Sequence, residues 1–204
     1  MNDDMRAGLA EIEAKLELLR RTETEHGFGV TIEGPLEPAD VPELPAGVTE
    51  VFRLFSHLAG DYFRFRQPEE IQDPDAWAKR RWIENCPLGD PLVIGWELHG
   101  IPADLLEDIN GGGPIRLDLN DGSVYYVDPD DYVFMYKHVD IEEIDSEDFA
   151  DDVVTFFNHY VLGERYPRLV EGVLGAGAVT ATDRKGRHRD RWMRLLSAAG
   201  LLAA

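Results

Sequence analysis

Only one cysteine, Cys86, stands in the 204 residues. That excludes an internal disulfide framework and fits a reducing compartment. Long apolar runs are also lacking, since no stretch approaches the roughly 20 residues of a membrane-spanning helix. Positive charge is scarce: 20 Lys and Arg face 40 Asp and Glu, a formal net charge of −20. A general nucleic-acid binder needs a basic footprint to displace phosphate counterions, and this charge balance argues against one. An anionic membrane surface is disfavoured for the same reason. The first residues, MNDDMRAGLAEIEAK, are acidic and helical in pattern, unlike a secretory signal. The expectation is a cytoplasmic protein with neither nucleic acid nor membrane as partner.

What is present argues for a folded chain. Hydrophobic residues at 44% and aromatics at 10% are too many for an intrinsically disordered acidic protein. The charge is unevenly spread. Between Trp82 and Glu164 stand 20 acidic residues and two basic ones, Arg116 and Lys137, so this window carries −18 (2 minus 20). The segment from Asp183 to Arg194 instead holds Arg184, Lys185, Arg187, Arg189, Arg191 and Arg194 against two aspartates. Such asymmetry points to partners, or to a tail that folds back.

Met5, Leu9, Ile12, Leu16 and Leu19 form a narrow apolar stripe on a helix over residues 3–24, suited to docking on the body. Residues 25–45 read as an exposed connector rich in proline, glycine and acid. Val48, Val51, Phe52, Phe55 and Leu58 predict a helical core face ending at Gly60, and Tyr62, Phe63 and Phe65 a short strand. Asp73-Pro74 opens a helix through Trp77 and Trp82. Pro91 to Trp96 is an apolar strand. Ile115–Leu119 and Val124–Val127 flank Asn120-Asp121-Gly122-Ser123, a hairpin signal that rests on tolerance of positive φ. Tyr132 to Lys137 is a further strand. Ser146 is an N-cap candidate for a helix carrying Phe149, Val153, Phe156 and Tyr160. Gly172 to Thr182 reads as a linker, and Trp192, Leu195, Leu196 and Ala199 as a terminal amphipathic helix. Strands in the middle and helices at both ends, without βαβ alternation, predict an α+β fold around a mostly antiparallel central sheet. The expected division is 1–43 for helix and connector, 44–171 for the α+β domain, and 172–204 for linker and basic C-terminal tail.

Motifs for catalysis are few. Gly111-Gly112-Gly113 lacks the Lys-Ser/Thr of a phosphate loop and runs into Pro114, so a turn is the better reading. Asp118 to Gly122 fails calcium-loop spacing, and Pro129 occupies the place of the closing glutamate. Asp128, Asp130 and Asp131 could gather a hard cation, although solvated carboxylates are the commoner state. The six histidines show no HExxH or HxH pattern, so no zinc site is expected. Cys86 reads as a small buried hydrophobe, and Trp77, Trp82 and Trp96 as core. No GxSxG motif exists. Neither metal nor cofactor is expected, and nothing compels an enzyme.

One family resemblance stands out. Leu44-Pro45 before the Val48–Leu58 segment, then Gly60, Phe63 and Phe65, and Pro68-Glu69-Glu70-Ile71, resemble the SUKH superfamily. Gly89-Asp90-Pro91-Leu92-Val93-Ile94-Gly95, the Asp-rich hairpin Asp118–Asp128 and the segment from Ser146 to Tyr160 extend the likeness over residues 44–165. Ser146 is separated from Phe149, so the family's Ser-Phe pair is not intact. The family includes yeast cell-wall-synthesis regulators and bacterial immunity proteins. The resemblance implies an α+β fold that acts by binding; bacterial members neutralise toxins, often nucleases or deaminases. Joined to the −18 window, it yields the expectation of an immunity protein that holds a basic toxin or effector on an acidic surface. The residues expected to do so are Asp118, Asp121, Asp128, Asp130, Asp131, Asp140, Glu142 and Glu143, with Tyr132 as an aromatic anchor. The alternatives are a scaffold or regulator of the same fold that recruits through its N-terminal helix and tail, and a metal-dependent hydrolase using Asp128–Asp131.

Overall fold

The structure, a computed structural model, describes residues 2–80, 91–98, 112–129 and 146–202. Its first element, α1 (Asp3–His26), is capped at both ends. The Asn2 side chain accepts from the Met5 N–H at 2.8 Å, and the chain leaves through Gly27 at φ 65°, whose N–H reaches the Glu23 carbonyl. Ile12, Leu16 and Leu19 are fully buried, so the apolar stripe docks on the body as its spacing predicted.

Seven strands among the described residues make one antiparallel sheet in which each pairs with the next in sequence: β1 (Thr31–Glu33), β2 (His57–Ala59), β3 (Phe63–Arg66), β4 (Pro91–Glu97), β5 (Pro114–Asp118), β6 (Val124–Tyr126) and β7 (Glu147–Ala150). Around it lie α2 (Val48–Phe52), α3 (Pro74–Lys79), α4 (Val153–Thr155, continuing as π-helical turns over Phe156–Val161), α5 (Tyr166–Leu174), α6 (Ala176–Val179) and α7 (Arg191–Ala198). The α+β class with an antiparallel sheet flanked by helices is therefore what the element pattern foretold. Among the described residues, no helix is long and apolar enough to cross a membrane.

Alternating strand residues face a core shared with the helices. Leu58, Phe63, Phe65, Leu92, Ile94, Ile115 and Leu117 meet Phe52 and Phe55 near α2, Phe156 and Phe157 of α4, and Trp192, Leu195 and Leu196 of α7. Phe157 is the hub, with ring centroids 5.1 to 5.8 Å from Phe52, Phe55, Phe65 and Phe156. At a register shift in β4, Gly95 lies under Phe65; a Cβ there would sit 2.5 Å from the ring.

Several expectations are corrected. The helix expected over Val48–Leu58 ends after Phe52, because His57–Ala59 pairs with both β1 and β3. Leu58 points inward between outward neighbours, a strand pattern that a spacing of three from Phe55 concealed. Ser146 caps no helix; Glu147–Ala150 is β7, with Phe149 as its inward residue. The N-cap is Asp152, whose carboxylate accepts from the Thr155 N–H at 2.8 Å and the Thr155 hydroxyl at 2.7 Å. The 25–45 connector contributes β1, and the Gly172–Thr182 run is helical in α5 and α6, broken at Gly175. Asp73 does open α3, accepting from the Asp75 N–H. The expected strand Tyr132–Lys137, with Trp82 and Cys86, lies outside the described residues.

The π-helical turns have a counterpart on α1. Widening the helix leaves the Asn158 carbonyl to be met from outside, and the Lys15 ammonium reaches it at 2.9 Å and the Asn158 side-chain oxygen at 2.7 Å. Glu11 closes the ring, accepting from Lys15 at 2.8 Å and from Asn158 at 2.9 Å. Both donors hold the Glu11 carboxyl below its usual range. Lys15→Ala should cost about 2–3 kcal/mol, since it strands two buried acceptors, whereas Glu11→Gln, at a half-exposed partner, should cost under about 1 kcal/mol. Urea unfolding of the two variants checks that order; equal losses would contradict it.

Candidate functional site on the outer face of the sheet

The three expected partner-binding aspartates that can be placed do not form one cluster. Asp118 and Asp121 shape the β5–β6 turn. Asp118 accepts from the Asn120 N–H at 2.6 Å, and Asp121 from the Ser123 N–H at 2.8 Å, which lowers the Asp121 carboxyl below its usual range. Gly122, at φ 87°, supplies the left-handed residue that this hairpin needs. Asp128 is exposed beyond the opposite end of β6. Asp130, Asp131, Tyr132, Asp140, Glu142 and Glu143 lie outside the described residues. Among the described residues, no three His, Cys, Asp or Glu side chains are grouped to hold a metal ion.

The basic tail does not reach across to the β5–β6 hairpin at its Asp-rich turn through any contact described. Arg191 instead grips Asp61, with its Nε at 2.8 Å, Nη2 at 2.7 Å and backbone N–H at 2.7 Å, and donates to the Gly29 carbonyl. Arg187 pairs with Asp183 within the tail's own turn, holding that carboxyl at about 2.

A concavity among the described residues lies elsewhere. The outward residues of β1 to β5 form the floor of a groove of about 780 Å³, bordered by the segment Pro68–Gln72 and by Ala76 of α3. Strand register builds it in rows. Glu33, His57 and Arg66 lie opposite one another across β1, β2 and β3; Ala59, Arg64, Trp96 and Pro114 form the next row across β2 to β5. The guanidinium of Arg64 lies 5.5 Å from the centre of the Trp96 ring, within cation–π range.

His57 stands between Glu33 and Arg66 in its row. Its Nδ1 is 3.6 Å from a Glu33 oxygen, and its buried Nε2 has no hydrogen-bond partner among the described residues. Burial first, then the positive charge of Arg66, pull its pKa below the ordinary value of 6.5, against the opposing pull of Glu33. Burial also lowers Arg64, with Arg66 adding to it. A cationic floor with Glu33, Glu69 and Glu70 around it is suited to holding one negative group in a fixed place.

Reasoning from sequence missed this groove, although Phe63-Arg64-Phe65-Arg66 carried a signal. Apolar and basic residues alternate with the period of a strand, which puts both arginines on one face. The Lys15–Asn158 pair, 143 residues apart, had no such signal. Compared with known proteins, this chain matches no family model, no curated protein and no solved structure.

Proposed function

We propose that the chain is a non-enzymatic binding protein of the toxin-immunity kind, which holds a basic toxin or effector through carboxylates of the sheet region. The observation that carries the reading is the charge distribution: −18 between Trp82 and Glu164 against −2 for all the remaining residues. Self-repulsion on that scale is offset when a cationic partner uses the field, which also speeds encounter. Backbone N–H groups fix the Asp118 and Asp121 carboxylates at a tight turn, so their charge is presented without loss of side-chain freedom on binding. The SUKH likeness supplies the class of partner, a nuclease- or deaminase-type toxin. A scaffold using α1 as its recruiting face is less well supported, because the apolar stripe of that helix is spent in the core.

Co-expression with the product of the adjacent reading frame tests the proposal. Growth protection and a complex that weakens as salt rises from low to physiological levels are expected. The combined variant Asp128→Asn, Asp130→Asn, Asp131→Asn should bind more weakly and with a shallower salt dependence. A neighbour that is neither toxic nor bound at low salt overturns the reading.

A further inference from the structure

The outer-face groove carries Arg64 and Arg66 in its floor, and a basic partner makes no use of them. We propose that this groove binds a small carboxylate-bearing ligand, with Arg66 and His57 holding the carboxylate and the Trp96 indole flanking the ligand's body. The proposal stands on the groove alone and is independent of any toxin.

Three observations converge. His57 and Arg66 are directly opposed in register, so an imidazole and a guanidinium border the same spot. The His57 Nε2 is buried without a partner among the described residues, and such an atom is costly until something pairs with it. Arg66 is exposed, and no ion pair to it occurs among the described residues. The row holding Trp96 lies two residues along β3, about 7 Å away by strand geometry. That is the reach of a carboxylate joined to one ring. The volume, about 780 Å³, falls among those of small-molecule sites.

The surrounding acids select the kind of anion. Glu33 on β1, with Glu69 and Glu70 on the bordering turn, faces a floor that carries Arg64 and Arg66 of β3. A dianion such as phosphate meets this rim with twice the repulsion of a monocarboxylate, and a polyanion with more. The planar guanidinium fork matches a planar carboxylate.

The test follows the His57 ring protons by NMR in the full chain, assigned by their loss in His57→Gln, during titration with sodium benzoate. Benzamide serves as the uncharged isostere and inorganic phosphate as the dianion. Benzoate is expected to shift the His57 signals saturably and to raise the His57 pKa, because an adjacent anion favours imidazolium. Benzamide should leave them in place, and phosphate should bind about tenfold more weakly. Arg66→Gln should weaken benzoate about tenfold with an unchanged urea midpoint, and Glu33→Gln should tighten it two- to threefold. No shift at about 50 mM benzoate, above the range of useful fragment affinities, overturns the proposal. So does benzamide binding equally well, phosphate binding more tightly, or neither variant changing the affinity.

Discussion

Asp190→Ala is expected to lower the unfolding free energy by about 2–4 kcal/mol, the loss of a helix cap plus that of a buried acceptor. Asp190 is 1% exposed and is shared by two elements. One carboxylate oxygen accepts from the Tyr166 hydroxyl at 2.5 Å, and the other from the Trp192 N–H at 3.0 Å, at the start of α7. Alanine leaves the hydroxyl of a fully buried tyrosine without an acceptor and α7 without its cap. Asp190→Asn keeps the shape and one acceptor, so its loss should be smaller.

The same pair carries a pH signature. Burial pushes the Asp190 carboxyl up by more than the hydrogen bonds from Tyr166 and Trp192 pull it down. With the folded pKa above the ordinary 3.8, the native state binds a proton that the unfolded chain has lost. This contribution is fully present below 3.8 and is lost as pH rises through the folded pKa. Glu11, Asp121 and Glu164 are lowered and act in the opposite sense, with stability lost as pH falls. The difference between wild type and Asp190→Asn isolates the one group: urea unfolding across acid pH should show the wild-type advantage shrinking as pH rises. Parallel curves would refute the assignment.

Phe157→Ala should be the most damaging single truncation, at about 3–5 kcal/mol. Its ring is fully buried and touches aromatic neighbours from the α2 region, β3 and α4, so no single element can move in to fill the gap. That is a large share of the 5–15 kcal/mol that stabilises a typical domain. A fall in the urea midpoint with an unchanged slope is the expected result. A loss below about 1.5 kcal/mol would mean that the cluster repacks. Phe28→Ala, at a half-buried ring beside His26, should cost about 1 kcal/mol.

The features legible in the sequence were those with local causes. The α1 stripe, the Asp73 cap, the Gly122 turn and the apolar strand β4 each rest on neighbouring residues. Misreadings arose where apolar residues three or four apart bridged two elements: Phe55 and Leu58 straddle a turn and β2, and Phe149 and Val153 straddle the end of β7 and α4. Periodicity cannot separate such cases when both elements bury the same face. The outer-face groove was half legible, in the alternation of Phe63 to Arg66. Its position beside Glu33 and Trp96 depends on register set by pairing, which no local pattern encodes.

The connection of α1 to α4 has a consequence for synthesis on the ribosome. Every strand among the described residues pairs with its predecessor, so these strands can pair in the order in which they are made. The first helix cannot settle in that order. Gly8 lies against Val154, and Lys15 waits for Asn158, 143 residues later. At about 5–20 residues per second, roughly 7–30 s pass between the synthesis of its apolar stripe and that of α4. A chain stalled before Val153 therefore displays Ile12, Leu16 and Leu19 as a ready target for a holdase.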